Sequence, residues 1–202
     1  MISVALSTRI DMAFSQVERS EFMRDADKNW ADVDAPFPIG LLQTISQPTT
    51  VKHMLTWLAP QPGDKILDVG SGSGWTTALL SELVGDSGHI FATERIAELK
   101  YFGEENCTRL GYTNVAFYLA QNTLGLAEHS PFDRILVSAA AKDKVPQALI
   151  DQLAPDGKLV VPVDNSIIEL KKDKAGKIDY SHTHEGYVFV PLLFDTPLQK
   201  GK

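Results

Sequence analysis

Residues 65–75, with the sequence KILDVGSGSGW, constrain the fold of this chain more than any other stretch. Residues 66–69 form a largely apolar run that predicts a buried parallel strand. Three glycines spaced by single residues follow, and from Trp75 onward apolar residues repeat at helical spacing. A strand, a glycine loop and a helix form the first unit of a doubly wound α/β fold. Ligands of that fold bind at the carboxyl ends of the strands.

The spacing of the glycines narrows the class of ligand. A dinucleotide fingerprint, G-x-G-x-x-G, would use Gly70 and Gly72 and would need a third glycine where Trp75 stands. The pattern is instead D-x-G-x-G-x-G from Asp68, the form found in S-adenosylmethionine-dependent methyltransferases. The next predicted strand ends in Glu94, about 20 residues beyond the loop, where an acid accepts hydrogen bonds from ribose hydroxyls. We expect a nucleoside cofactor; the alternative is a tight turn in another α/β protein, with Glu94 a solvated charge.

Composition limits the other classes of function. The 202 residues suit one α/β domain. The net charge of −7, without a basic stripe, argues against a nucleic-acid substrate. No segment approaches the ~18 apolar residues of a membrane span, and the first residues make a poor signal peptide. Cys107 is the only cysteine, which excludes an internal disulfide and fits a reducing compartment. We expect a cytoplasmic monomer with no nucleic-acid or membrane partner.

The middle and end of the chain predict a mainly parallel sheet with helices on both faces. Strands and helices alternate over 64–69, 75–84, 88–93, 95–110, 115–119, 134–138, 145–153 and 158–163. A hairpin of strands at 167–171 and 177–183 and a last strand over 187–192 follow. The predicted fold class is α/β, a doubly wound, mainly parallel sheet of the Rossmann-like methyltransferase type with an antiparallel C-terminal end.

The first residues predict a different organisation. The expected order is an amphipathic helix, irregular chain, an ordered loop, a short extended piece and a helix, over 8–24, 25–34, 35–40, 41–46 and 49–58. The loop is expected because its two prolines lack the N–H that a regular helix or a central strand needs. We expect a single domain over residues 1–202, in which residues 1–60 form a helical and loop extension that covers the substrate side.

Several segments, taken together, resemble the protein-L-isoaspartate O-methyltransferase family. They are Pro38-Ile39-Gly40, Gln43-Thr44-Ile45-Ser46, and residues 68–75, 131–141, 145–153 and 189–192. The likeness extends over about residues 12–192, in the order of the family. The glycine loop is shared by many methyltransferases, whereas the Gln-Thr-Ile-Ser segment and residues 145–153 are more specific.

The resemblance implies transfer of a methyl group from S-adenosylmethionine to the free carboxylate of an isoaspartyl residue, the first step in repair of damaged proteins through a succinimide. Isoaspartyl-containing proteins or peptides would be the substrate. By that likeness Ser46 would contact the substrate carboxylate, and Glu94 would hold the ribose. The expected substrate-binding residues are Thr44, Ile45, Ser46, Ser138 and Ala139. The expected cofactor-binding residues are Asp68, Gly70, Ser71, Gly72, Gly74, Trp75, Glu94, Gln121 and Asn122.

The proposed chemistry needs alignment rather than proton transfer. A carboxylate with a pKa near ~4 is already ionised at neutral pH, so attack on a sulfonium methyl needs no general base. A neutral hydroxyl such as that of Ser46 orients the carboxylate and leaves its nucleophilicity intact. A lysine or arginine in contact with the carboxylate would lower its nucleophilicity. The alternative is structural: a serine just before Pro48 is a common helix N-cap.

Three departures from the family pattern leave the acceptor open. Gln47-Pro48-Thr49-Thr50 replaces the usual Ala-Pro-His-Met, Leu42 stands where a glycine usually precedes the glutamine, and Ala120-Gln121-Asn122 replaces Gly-Asp-Gly. Gln121 can still accept a hydrogen bond from an adenine amino group, and asparagine tolerates a positive φ. The rivals are a family paralog that methylates another acceptor and a non-catalytic cofactor-binding protein. The histidines are scattered, so no metal site is expected.

Overall fold

The structure, a computed structural model, describes residues 5–121 and 123–194. The amino-terminal part contains helix α1, two 3-10 turns, a two-stranded hairpin and helix α2. Their bounds are Leu6–Gln16 (α1), Arg19–Phe22 and Asp25–Trp30 (3-10 turns), Phe37–Gly40 (β1), Gln43–Ile45 (β2) and Pro48–Leu58 (α2). The later elements are Lys65–Val69 (β3), Trp75–Val84 (α3), His89–Glu94 (β4), Ala97–Arg109 (α4), Val115–Leu119 (β5), Phe132–Val137 (β6), Gln147–Gln152 (α5), Leu153–Val163 (β7), Ser166–Lys172 (β8) and Ile178–Glu185 (β9).

Seven strands form one sheet in the order β5-β4-β3-β6-β7-β8-β9. Neighbouring strands from β5 to β7 pair in parallel, and β8 and β9 form the predicted antiparallel hairpin. The strand order reverses between β3 and β6, and a crevice opens at the carboxyl ends of strands at such a point. The predicted fold class is confirmed, with the same mainly parallel sheet and antiparallel end.

Both faces of the sheet are packed, as parallel strands require. Residues of β3 alternate between two apolar clusters: Ile66 packs on one face with side chains of α1, α2 and α3, whereas Leu67 packs on the other with Leu149 of α5. The amino-terminal helices therefore share a core with the sheet. Within the described residues, no helix is both long and apolar enough to cross a membrane.

Two predictions for the amino-terminal part are wrong in detail. The helix predicted over 8–24 ends at Gln16, because Val17 has a non-helical backbone; Phe22 is still buried, but by a 3-10 turn. Residues 37–40 pair with β2 instead of forming only a loop. Pro38 is tolerated there because a two-stranded ladder leaves one edge of each strand without a partner.

The last strand predicted over 187–192 is also wrong. This segment makes one isolated parallel bridge, between Pro191 and Ala140. The Ala140 N–H donates to the Val190 carbonyl (2.8 Å), and the Leu192 N–H donates to the Ala140 carbonyl (2.7 Å). Pro191 has no N–H and cannot extend a ladder. The segment therefore crosses the carboxyl end of β6 as a strap instead of joining the sheet.

Arg19 joins the amino-terminal segments to one another. Arg19 is 6% exposed, and the two terminal nitrogens of its guanidinium donate to the carbonyls of Ala31 (3.0 Å), Val33 (3.2 Å), Ala35 (2.7 Å) and Ser46 (3.0 Å). Burial lowers the pKa of Arg19, and the nearby charge of Asp34 opposes that shift. A planar fork reaches four separate acceptors, whereas the point charge of a lysine cannot.

We expect Arg19→Lys to lower the free energy of unfolding by about 1.5–3 kcal/mol, since buried carbonyls lose charged hydrogen bonds. Urea unfolding monitored by circular dichroism measures the change. Arg109→Lys is the matched control, because Arg109 pairs with Glu21 at the surface, where such pairs contribute about 0–1 kcal/mol. Equal losses in the two variants would contradict the role assigned to Arg19.

Candidate cofactor and acceptor site

One cleft lies at the carboxyl ends of the central strands, where the strand order reverses. Its lining comes from two parts of the chain. One part is the sheet and its loops, at Val69–Ser73, Thr93–Ile96, Ala120-Gln121 and Thr123–Gly125. The other part comprises Ile39, Gln43–Ser46, Ser138-Ala139 and Val190–Phe194. Residues from both predicted sets, cofactor-binding and substrate-binding, thus line the same cleft.

The glycine loop is held by backbone hydrogen bonds to the neighbouring strand. The N–H groups of Gly70 and Ser71 both donate to the Thr93 carbonyl, at 2.8 and 3.1 Å. Gly74 has φ +87°, and a Cβ there would lie 2.9 Å from the Gly103 carbonyl oxygen. Both the backbone angle and the close approach to α4 therefore require glycine at this position.

Glu94 fixes the loop from the end of β4. Its Oε2 accepts from the Gly72 N–H (3.0 Å) and its Oε1 accepts from the Ile96 N–H (2.9 Å). Glu94 is 7% exposed and lines the cleft. A carboxylate oxygen can accept two hydrogen bonds, so each oxygen retains acceptor capacity for a donor in the cleft.

Asp68 lies behind the loop and is not among the cleft-lining residues. It is fully buried, and its Oδ2 accepts from the Thr77 hydroxyl (2.6 Å). Its Oδ1 has no hydrogen-bond partner within the described part of the chain. Burial raises the pKa of Asp68 to about 7 against the Thr77 bond, and the charge of Glu94 adds to the rise. Asp68 thus supports the first turn of α3 from inside the core.

Other predicted cofactor residues have different positions. Ser71, Trp75 and Gln121 line the cleft, whereas Gly74 packs against α4 behind it. Asn122 lies outside the described residues. Buried Cys107 is also behind the loop; burial, and then the charge of Asp68, raise its thiol pKa to about 12, so it is a packing residue.

On the other side of the cleft, Ser46 is half-buried between exposed Thr44 and helix α2. The alternative that Ser46 caps this helix is wrong. The cap position is Gln47, and Asp34 caps the helix from a distant segment. Its Oδ1 accepts from the Thr49 N–H (2.9 Å), and its Oδ2 accepts from the Thr49 hydroxyl (2.8 Å). These bonds lower the pKa of Asp34.

The sequence predicted Ser138 and Ala139, which line the cleft, but it did not identify all of the lining. Ser138 and Ala139 follow β6, and the Ser138 N–H donates to the Val69 carbonyl (2.9 Å). The strap at residues 190–194 also lines the cleft, although its apolar pattern indicated only a strand. Two signals for it were available: residues 189–192 are among the segments that resemble the family, and they contain a proline followed by leucine.

Comparison with known proteins identifies the family. The family model for protein-L-isoaspartate(D-aspartate) O-methyltransferase matches residues 2–196. The chain belongs to this family. A protein-L-isoaspartate O-methyltransferase of Aeropyrum pernix is 41% identical over 192 residues, 93% of this chain and 73% of that protein. One of Methanopyrus kandleri is 41% identical over 199 residues, 96% of this chain and 87% of that protein. The sequence-based family expectation is confirmed.

Solved structures of the family agree with the fold. A structure named protein-L-isoaspartate O-methyltransferase has a TM-score of 0.82 at 25% identity and covers 94% of this chain and 62% of its own. A Plasmodium falciparum protein-L-isoaspartate O-methyltransferase in complex with S-adenosyl-L-homocysteine has a TM-score of 0.80 at 27% identity, and covers 92% of this chain and 90% of its own. The isoaspartyl methyltransferase fold therefore extends over nearly the whole of this chain.

The buried carboxyl of Asp68 predicts a pH dependence of stability. Its folded pKa is about 7 and its unfolded value is 3.8, so the folded state holds the proton more tightly. The contribution to stability is present at low pH and is lost as pH rises from about 4 to about 7. We expect Asp68→Asn to gain stability relative to the parent across that window.

Urea unfolding of the parent and Asp68→Asn at several pH values between 4 and 8 measures this difference. Exposed Asp179 in β9 supplies the control, Asp179→Asn, which should follow the parent. A constant difference between the parent and Asp68→Asn at every pH would mean that Asp68 is ionised throughout.

Proposed function

We propose that this chain is an S-adenosylmethionine-dependent carboxyl methyltransferase that acts on isoaspartyl residues of damaged proteins or peptides. The observation that carries the proposal is that one cleft is lined both by the Glu94-bound glycine loop and by the Thr44–Ser46 segment. Membership in the isoaspartyl methyltransferase family supports the same acceptor and the same methyl donor.

The residues on the sheet side fit S-adenosylmethionine. Glu94 presents a fixed carboxylate with acceptor capacity for two ribose hydroxyls. The buried Ser71 hydroxyl has no hydrogen-bond partner among the residues that the structure describes, and Ser71 lines the cleft. We propose that Gly70, Gly72 and Ser71 border the methionine half, Trp75 forms a wall of the pocket, and Gln121 faces the adenine. Asp68 and Gly74 would act by supporting the loop.

The acceptor side would work by positioning. When bound, S-adenosylmethionine supplies a methyl group on a positively charged sulfur, an electrophile that an ionised carboxylate attacks directly. The Ser46 hydroxyl would donate a hydrogen bond to the acceptor carboxylate. Thr44, Ile45, Ser138 and Ala139 would border that carboxylate. Alignment and exclusion of water from such a cleft lower the barrier without a proton transfer.

A labelled methyl-transfer assay with an isoaspartyl peptide and its aspartyl twin tests the function. Turnover of the isoaspartyl peptide alone supports the proposal. Turnover of neither peptide, with another acceptor methylated, would favour a family paralog with a different substrate. Cofactor binding with no turnover on any acceptor would favour a non-catalytic cofactor-binding protein.

We expect Glu94→Gln to weaken S-adenosylmethionine binding by about 10- to 150-fold, because hydrogen bonds to a charged group contribute roughly 1.5–3 kcal/mol. Glutamine keeps the shape of the side chain and one acceptor for the loop N–H groups. Isothermal titration calorimetry on the variant, with its melting temperature as a folding check, measures the loss. An unchanged dissociation constant in a folded variant would remove Glu94 from the cofactor site.

We expect Ser46→Ala to lower kcat and kcat/KM on an isoaspartyl peptide while cofactor affinity stays nearly unchanged. One positioning hydrogen bond to a carboxylate is worth roughly 1.5–3 kcal/mol, or about 10- to 150-fold. The helix should keep its stability, since Asp34 provides the cap. Thr49→Val is the matched control, because it removes a hydroxyl beside Asp34 and should lower stability more than turnover. Wild-type turnover in Ser46→Ala would exclude the substrate role.

The domain organisation, oligomeric state, location and partners belong to the same proposal. The segment of residues 1–60 would cover the acceptor side of a single domain, as its contacts with the sheet core suggest. The protein would act as a monomer in the cytoplasm, without nucleic acid. Size-exclusion chromatography coupled to light scattering checks the oligomeric state.

A further inference from the structure

The tip of the β1–β2 hairpin carries two leucines in an unusual backbone conformation. Leu41 and Leu42 have φ of +54° and +60° and form the two central residues of the turn between Gly40 and Gln43. Both angles lie in the left-handed region, where turns of this kind favour asparagine and glycine. A leucine there is strained because its Cβ crowds the following carbonyl oxygen.

Packing does not explain these leucines. Leu42 is 96% exposed and Leu41 is 50% exposed, so neither side chain is a core residue. One exposed leucine on a protein surface needs no explanation. Two adjacent leucines, exposed and both in a strained conformation, do need one, and strain of this kind concentrates at functional sites.

The base of the hairpin is firmly held. The Arg24 Nε donates to the Ile39 carbonyl (2.7 Å), and its guanidinium lies 3.8 Å from the centre of the Phe102 ring. Just beyond the turn, Gln43 and Thr44 line the cleft, as does Ile39 before it. The two leucines therefore project from a fixed hairpin at the edge of the proposed acceptor site.

This edge carries exposed apolar side chains and is formed by two segments that contain no charged residue of their own. No charged residue occurs between positions 35 and 46, and none occurs between 187 and 194, a stretch whose residues 190–194 line the same cleft. Leu193 in that stretch is 48% exposed. In a chain with 22% charged residues and a net charge of −7, two uncharged segments at the rim of the cleft favour an apolar rather than a charged side chain beside the acceptor residue.

We propose that Leu41 and Leu42 form an apolar lip that selects acceptor polypeptides with an apolar side chain next to the isoaspartyl residue. The inference rests on the proposed function and deepens it, because it names a determinant of specificity outside the cofactor site. The lip contacts the flanking side chain and leaves the reacting carboxylate to Ser46. It therefore acts mainly on KM.

The test compares two isoaspartyl peptides that differ only in leucine or serine beside the isoaspartyl residue. We expect the parent to prefer the leucine peptide in kcat/KM by about 5- to 30-fold, the factor for 1–2 kcal/mol of apolar contact. Leu42→Gly should abolish most of that preference, with kcat and cofactor affinity nearly unchanged. Leu42→Met, which keeps an apolar side chain, should retain it.

The melting temperature supplies a second readout, because Leu42→Gly should raise it while removing the peptide preference. Glycine relieves the strain at φ +60°, so Leu42→Gly should melt about 2–4 °C higher than the parent. A general structural defect would lower the melting temperature instead. Met12→Ser, which removes an exposed apolar side chain from α1, is the control and should leave the peptide preference unchanged.

Peptide binding measured by calorimetry separates this inference from the proposed function. If the parent turns over both peptides without a preference, the lip is overturned and the proposed function remains. The same conclusion follows if Leu42→Gly keeps the preference of the parent. If the parent binds the leucine peptide more tightly, Leu42→Gly removes that difference and neither peptide is methylated, the lip is supported and the proposed function is overturned. If the parent shows neither a peptide preference nor turnover, both the lip and the proposed function are overturned.

Discussion

The buried guanidinium of Arg19 holds together the amino-terminal segments that form the acceptor side of the site. The sheet provides the glycine loop and Glu94, but the acceptor side depends on segments that precede the sheet in sequence. Arg19 joins these segments through four backbone carbonyls, one of them that of Ser46. A buried cation is costly, and here carbonyl dipoles rather than a bonded carboxylate compensate for the lost hydration. Because the acceptors belong to the backbone, the interaction fixes the path of the chain, whatever side chains occupy those positions.

The sheet side of the site could be predicted because its signals are local. A strand, three spaced glycines and a helix follow one another in the sequence, and Glu94 ends the next strand. The hydrogen bond from the Gly72 N–H to Glu94 joins the loop after β3 to the end of β4, and a parallel sheet brings the carboxyl ends of adjacent strands together. Asp68 is the exception, since its motif indicated a binding residue and its burial makes it a supporting one.

The acceptor side could be predicted only in part, because its contacts are distant in sequence. The serine before Pro48 has the local signature of a cap, yet Asp34 provides that cap from another segment. Likewise, residues 187–192 have the composition of a strand, but a proline without an N–H lets them make a single bridge. Local patterns give the secondary-structure propensity of a segment, whereas its tertiary contacts decide which structure it adopts. Arg19 itself belonged to no pattern.

The same arrangement explains how an acidic chain could accept an acidic substrate. A lysine or arginine in contact with the acceptor carboxylate would bind it well but weaken its attack on the methyl group. The positive charge of Arg19 instead lies behind Ser46, where it is hydrogen-bonded to the carbonyl oxygen, and the cleft-lining residues Ile39, 43–46 and 190–194 carry no charge. Under the proposed function, the buried cation would favour an approaching carboxylate without contacting it. The carboxylate can then remain a free nucleophile, positioned by a neutral hydroxyl rather than neutralised by an ion pair.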